Sequence, residues 1–211
     1  MPSRRGLAAL LALGLVLGAG GGTTYAAFSS LASNAGNSFS AAPDLVAPAA
    51  PASVIAKASG YLAGAIRQGG TFYVYANVAD DGNPPAGVAS VTADVSAVSA
   101  GATAVPLVAG SYSVEGVAYG YRGGPLSADP VLPEGTYAYS LTLTDAAGNS
   151  ATQTGFSVLV DDTPPAGVDV QTANGGATPG RAEAGDTVTL TFSERIDPGS
   201  VLGGWDGTAT A

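Results

Sequence analysis

The chain has no cysteine and no histidine. The first absence excludes disulfides, thiolate zinc sites and cysteine nucleophiles. The second excludes a Ser-His-Asp triad and imidazole metal ligation. Lysine occurs once, at Lys57, and charged residues are only 11% of the 211. No Gly-Lys-Ser/Thr follows any glycine cluster, so a phosphate-cradling loop is missing too. Carboxylates are present, but the sequence alone places no two of them together, and a two-carboxylate glycosidase would need a larger scaffold with a sugar cleft. The chain is therefore not expected to be an enzyme. No catalytic residue, cofactor or metal ligand is assigned.

Glycine (31) and proline (14) are abundant, which suits many short strands joined by turns. Basic residues number 7 against 16 acids, two of the seven being Arg4 and Arg5. Removing the N-terminal stretch leaves five bases facing sixteen acids, a net charge near −11. Nucleic acid and anionic membranes would repel such a chain.

The stretch from Gly135 to Asn149 organises the rest. Tyr137, Tyr139, Leu141 and Leu143 alternate with small polar residues, the period of a half-buried strand. Residues 145–149 supply turn chemistry. Thr152, Thr154, Phe156, Val158 and Val160 are expected to continue the alternation as the second arm of a hairpin. Upstream, strands are expected near 54–56, 61–66, 71–79, 88–95, 103–108 and 111–121, with 122–133 as a loop. In the strand at 71–79, Phe72, Val74, Ala76 and Val78 face one way and Tyr73, Tyr75 and Asn77 the other. About seven strands in roughly 110 residues is the count of an Ig-like β-sandwich, and Tyr137 stands where such folds place a tyrosine corner. The expected fold is all-β: one Ig-like sandwich, then an incomplete second domain, after an N-terminal helical signal peptide.

Arg4 and Arg5 precede an apolar run at 7–18, in the range of a signal-peptide core and shorter than the ~20 residues of a membrane span. Gly20-Gly21-Gly22-Thr23-Thr24-Tyr25-Ala26-Ala27-Phe28-Ser29 resembles the leaders of the TasA/camelysin class, handled by an ER-type (SipW-like) signal peptidase. The resemblance covers about residues 1–45. It implies secretion with cleavage near Ala27, and does not by itself make the body a fibre subunit. The expected organisation is signal peptide 1–27, an Ala/Pro/Ser-rich linker 28–52, a sandwich 53–161, and the start of a second domain at 162–211.

Glu134–Tyr137, Thr144–Asn149 and Asp80–Thr92 each resemble stretches common in bacterial Ig-like domains of large surface proteins. Thr187–Asp197 is similar to a strand of Ig-like modules in S-layer and surface proteins. After the joint Asp161-Asp162-Thr163-Pro164-Pro165 the chain starts again: Pro165 matches Pro51 and Thr187 matches Thr71, at offsets of 114 and 116. The second copy reaches two clear strands. Val188, Leu190, Phe192 and Trp205 would then need covering, so a fragment of a longer chain is expected, with packing against another chain as the alternative.

Two groups are candidate binding features. Asp80, Asp81, Asn83, Asp145, Asn149, Asp161 and Asp162 lie at strand ends, where oxygen ligands can hold calcium in Ig-like arrays and where Asp and Asn also simply make turns. Tyr112, Tyr119, Tyr121, Tyr137 and Tyr139 can line a sugar-binding surface, although alternation accounts for most of them as sheet-face residues. The expected role is a secreted or cell-surface structural or adhesive protein. Its partners would be extracellular proteins or glycans, with no nucleic acid, and with membrane contact only through the leader. A carbohydrate-binding accessory module of an extracellular enzyme and a biofilm fibre subunit are the alternatives.

Overall fold

The computed structural model describes residues 43–57, 62–203 and 205. The expected leader, its cleavage site and the first part of the linker lie outside the described residues. The elements in chain order are β1 (Ala49–Lys57), β2 (Ala65–Ile66), β3 (Thr71–Ala79), β4 (Val88–Asp94), β5 (Val105–Pro106), β6 (Val108–Val114), β7 (Val117–Ser127), β8 (Gly135–Asp145), β9 (Ser150–Val160), β10 (Gly167–Ala173), β11 (Thr187–Phe192) and the one-turn helix α1 (Pro198–Val201). The fold is all-β.

The first nine strands form two sheets. One runs β1-β3-β7-β6, the other β2-β9-β8-β4-β5. The strand pairs are antiparallel except β2 with β9, which is parallel. The inward rows of both sheets share one core. Ile55, Phe72, Val74 and Ala76 come from the first sheet, and Val91, Ala93, Leu141, Leu143, Val158 and Val160 from the second. All ten are at most 2% exposed. Burying a side chain of the size of Leu or Phe contributes roughly 1.5–3 kcal/mol, so this shared row is the main stabilising element.

The hairpin of β8 and β9 forms as its alternation predicts, with Tyr139, Leu141 and Leu143 inward. The second arm does not keep one phase. The register shifts between Tyr139 and Leu141, opposite Gly155, whose φ is +93°. A glycine in this conformation accommodates the extra residue of a bulge. The shift puts Thr152 on the outer face, where its hydroxyl meets that of Thr142 at 3.1 Å, while Val158 and Val160 point inward.

Three further boundaries differ from expectation. The linker expected over 28–52 ends earlier: β1 begins at Ala49, and Asp44 and Pro48 are already buried. Tertiary contact overrides the extended bias of the prolines there, and Pro51 is tolerated because β1 is an edge strand. The stretch 103–121 divides into β5, β6 and β7 rather than two strands. The expected loop at 122–133 begins as strand, because β7 continues to Ser127 along β3, with a register shift between Phe72 and Val74 taking up Gly124 and Pro125. Gly123 is required there: a Cβ would stand 2.9 Å from the side chain of Leu107.

β10 and β11 form a separate antiparallel ribbon. Val170 lies opposite Leu190 and Thr172 opposite Val188. One face therefore carries Val168, Val170, Val188 and Leu190, each 58–65% exposed. The other carries Asp169, Gln171, Thr189 and Thr191.

The contrast between core and ribbon is measurable. Leu141→Ala is expected to cost about 2–5 kcal/mol, and Leu190→Ala at most about 0.5 kcal/mol, in urea unfolding at constant m-value. Equal costs would contradict the burial difference.

Candidate functional site

Three carboxylates meet at one end of the two-sheet body. Asp80 follows the last residue of β3, Asp145 closes β8, and Asp44 precedes β1. One oxygen from each lies within 4.8 Å of the others. Asp145 is 2% exposed and Asp44 7%, while Asp80 is half-buried. The ion pairs among the described residues are Lys57 with Asp197 and Arg195 with Glu115, so no cationic side chain pairs with the trio.

Backbone donors stabilise the trio instead. Asp44 accepts hydrogen bonds from the amides of Val46 (2.9 Å) and Ala86 (2.8 Å). Asp80 accepts from Gly87 at 2.6 Å. Asp145 accepts from the amide of Asn149 at 2.8 Å and from its Nδ2 at 2.7 Å. The same Nδ2 donates to the carbonyl of Asp44 at 3.0 Å, tying the turn after β8 to the segment before β1. Burial pushes the Asp145 carboxyl up, but hydrogen bonds from the Asn149 side chain and from the amides of Asn149, Gly148 and Ala147 outweigh it, and the group lies below the usual carboxylate range. Gly82 closes over Asp44 so tightly that a Cβ would stand 2.1 Å from its Oδ1.

Of the strand-end residues singled out in the sequence, Asp80, Asp145 and Asn149 are brought together here. Asp81 and Asn83 are exposed and outside the trio. Sequence reasoning passes over Asp44, because it sits in a stretch that reads as linker. Its signal is its isolation: it is the only acid between residues 41 and 53. All-oxygen donors of this kind suit calcium better than zinc or copper, so Asp44, Asp80 and Asp145 are the residues placed to hold a divalent cation.

Asp161 and Asp162 lie at the opposite end of the β8–β9 hairpin, in the joint to the ribbon. Gln68 donates its amide to Asp162 at 2.8 Å, and Thr163 donates its hydroxyl to Glu134 at 2.9 Å. Lys57 bridges to Asp197 at 2.5 Å, and this contact lowers the Asp197 pKa. An open groove of about 800 Å³ runs along the joint, with Ile66, Leu159, Asp161 and Glu194 among its walls. Glu194 is the unsettled member. Its Oε1 is buried without a hydrogen-bond partner. Desolvation, then the charge of Asp161, a side-chain hydrogen bond shared with it and the charge of Glu134, raise its pKa.

The five tyrosines considered as a sugar surface do not form one. Tyr139 is buried in the main core, stacks on Phe156 and donates to Ser53 Oγ at 3.0 Å. Its burial raises the phenol to about 12. Tyr121 and Tyr137 pack against the same core. Tyr112 and Tyr119 lie on the outer face of the first sheet with Tyr73 and Tyr75, around a small second core of Ala56, Tyr75 and Val114. The Arg122 guanidinium sits 4.6 Å from the Tyr73 ring centre and 4.5 Å from that of Tyr112.

No protein-family model, curated protein or solved structure matches this chain.

Two outcomes test these carboxylates. Millimolar calcium, the range of extracellular modules, is expected to raise the unfolding midpoint over EDTA, and Asp80→Asn to abolish the rise; equal midpoints in calcium and EDTA would make the trio a hydrogen-bond hub only. The raised pKa of Glu194 means that the folded state holds its proton more tightly, so ionisation at neutral pH weakens the fold. Glu194→Gln is expected to raise the midpoint at pH 7, and the gain should vanish below about pH 4, where the wild-type carboxyl is also neutral. A gain independent of pH would contradict this account.

Proposed function

We propose that the chain is an exported Ig-like module with a structural or adhesive role at the cell surface. The observation that carries this reading is strand order. Taking β1, β3, β7 and β6 as strands A, B, E and D, the first sheet has the A-B-E-D order of Ig sandwiches. The second sheet then reads G-F-C with β5 added beyond C and β2 as an A strand that has changed sheets. Tyr137, near the start of the strand equivalent to F, donates its hydroxyl to the carbonyl of Pro133 at 2.9 Å. That bond to the backbone a few residues upstream is the mark of a tyrosine corner.

Two further features support tandem modules. Six residues separate β9 from the ribbon of β10 and β11. Thr187, which matches Thr71 in sequence, opens β11 as Thr71 opens β3. A role outside the cell draws on the leader resemblance. A domain of this type acts by spacing other modules and by presenting sheet faces and end loops to partners.

Export is the step to test first. Produced in a Gram-positive host that has an ER-type signal peptidase, the chain is expected in the medium or on the surface, with a new N-terminus near Ala27. In a strain lacking that peptidase, an uncleaved precursor should accumulate. Retention in the cytoplasm of both strains would overturn the proposal.

A further inference from the structure

The outer face of the first sheet carries a structure that the sandwich does not need. A sheet of this kind packs one face on the core and leaves the other to water, with polar residues outward. Here the outward face holds Tyr73, Tyr75, Tyr112 and Tyr119, and Tyr75 is only 3% exposed. Arg122 is held between two of these rings. Both of those rings lie against a glycine. A Cβ on Gly110 would stand 2.6 Å from the Tyr112 hydroxyl, and one on Gly124 would stand 3.0 Å from the Tyr73 ring. Gly124 also has a φ of +116°, which side-chain-bearing residues rarely adopt. The bracket is thus built from residues on β3, β6 and β7.

Arg122 carries a charge that no carboxylate neutralises. Lys57 and Arg195 are ion-paired, but Arg122 has no carboxylate partner among the described residues. The Tyr75 side chain also hydrogen-bonds the guanidinium, and of its five N–H donors the others can serve a carboxylate in a two-pronged hydrogen bond. The two cation–π contacts hold the plane in position before any ligand arrives. Tyr73, Tyr112 and Tyr119 remain half-exposed around it.

We propose that the Tyr73–Arg122–Tyr112 bracket, with Tyr119 beside it, binds a carboxylated polysaccharide. The guanidinium pairs with a uronate carboxylate, and the exposed tyrosine surface stacks on the apolar face of the sugar ring. Charge complementarity selects an anion. The bracket holds one cation and takes one carboxylate, and the net charge of −9 opposes a polymer charged at every residue, so the ligand is a polysaccharide with isolated uronates. This deepens the adhesive reading above and rests on it for biological context, but binding in solution is independent of export.

The test is affinity electrophoresis and calorimetry of the purified full chain at physiological salt, with sparsely de-esterified polygalacturonate, its fully methyl-esterified form and dextran sulfate as probes. The sparsely de-esterified polymer is expected to bind, and the full methyl ester to bind at least tenfold more weakly. Equal binding of the ester, binding of dextran sulfate alone, or binding of none of the three would overturn the proposal, and none of these outcomes depends on a variant. Arg122→Lys keeps the charge and loses the planar fork, so it is expected to cost at least tenfold in affinity. Arg67→Gln removes an exposed arginine elsewhere and is expected to cost nothing. Arg122→Gln and Arg67→Gln change the net charge alike, so an equal loss in these two would reduce the effect to net charge and overturn the assignment. Failure of the export experiment would leave these binding outcomes unchanged, so the two readings fail separately.

Discussion

The contact between the inward rows of β3 and β8 is the constraint on which the rest depends. Phe72, Val74 and Ala76 on one strand share a core with Leu141 and Leu143 on the other, all at zero exposure. A side-chain period of two means that committing these residues inward commits their neighbours outward. The outward set on β3 includes Tyr73, Tyr75 and Asn77, and the outer face of the sheet acquires its aromatic character as a consequence. The same registration fixes where each strand stops. Asp80 and Asp145 share one end of the body because β3 and β8 are locked at that depth.

An acidic protein with few cations has to dispose of its carboxylates one by one. The protein uses three means. Asp145, Asp44 and Asp80 are satisfied by backbone amides and by Asn149, and hydrogen bonding is strong enough to hold the buried Asp145 below the ordinary range. Asp197 and Glu115 take two of the few cationic side chains. Glu194 has neither device, faces Asp161, and is displaced upward. Solvation, backbone donors and charge pairing therefore differ between the two ends of the body, and the joint end is the less well compensated.

The ribbon of β10 and β11 is informative by contrast. Val170 lies opposite Leu190, as Ile55 lies opposite Val74, yet Val170 is 64% exposed where Ile55 is at zero. Antiparallel pairing of two apolar residues thus gives a buried face or a wet one, depending on whether a second sheet stands opposite. Strand formation here is a local property. Core formation is not.

How much is legible in the residues follows from the same distinction. Alternation of apolar and polar residues determined the β class, the β8–β9 hairpin and the inward faces of β3 and β4, because a two-residue period has one physical reading. Absence of cysteine and histidine removes whole classes of chemistry whatever the fold. The joint at 161–165 is visible as punctuation. Phase after Gly155 is not, since a bulge depends on the partner strand. The continuation of β7 through Gly123 and Gly124 is not, since only pairing with β3 overrides a Gly-Gly-Pro break. Asp44 reads as part of a linker, because its role comes from Ala86 and Asn149, which are 42 and 105 residues away. The bracket around Arg122 joins residues from three strands. Sequence determined which way each side chain could face; only tertiary structure decided which of them meet, because through-space charge and ring contacts have no signature in local periodicity.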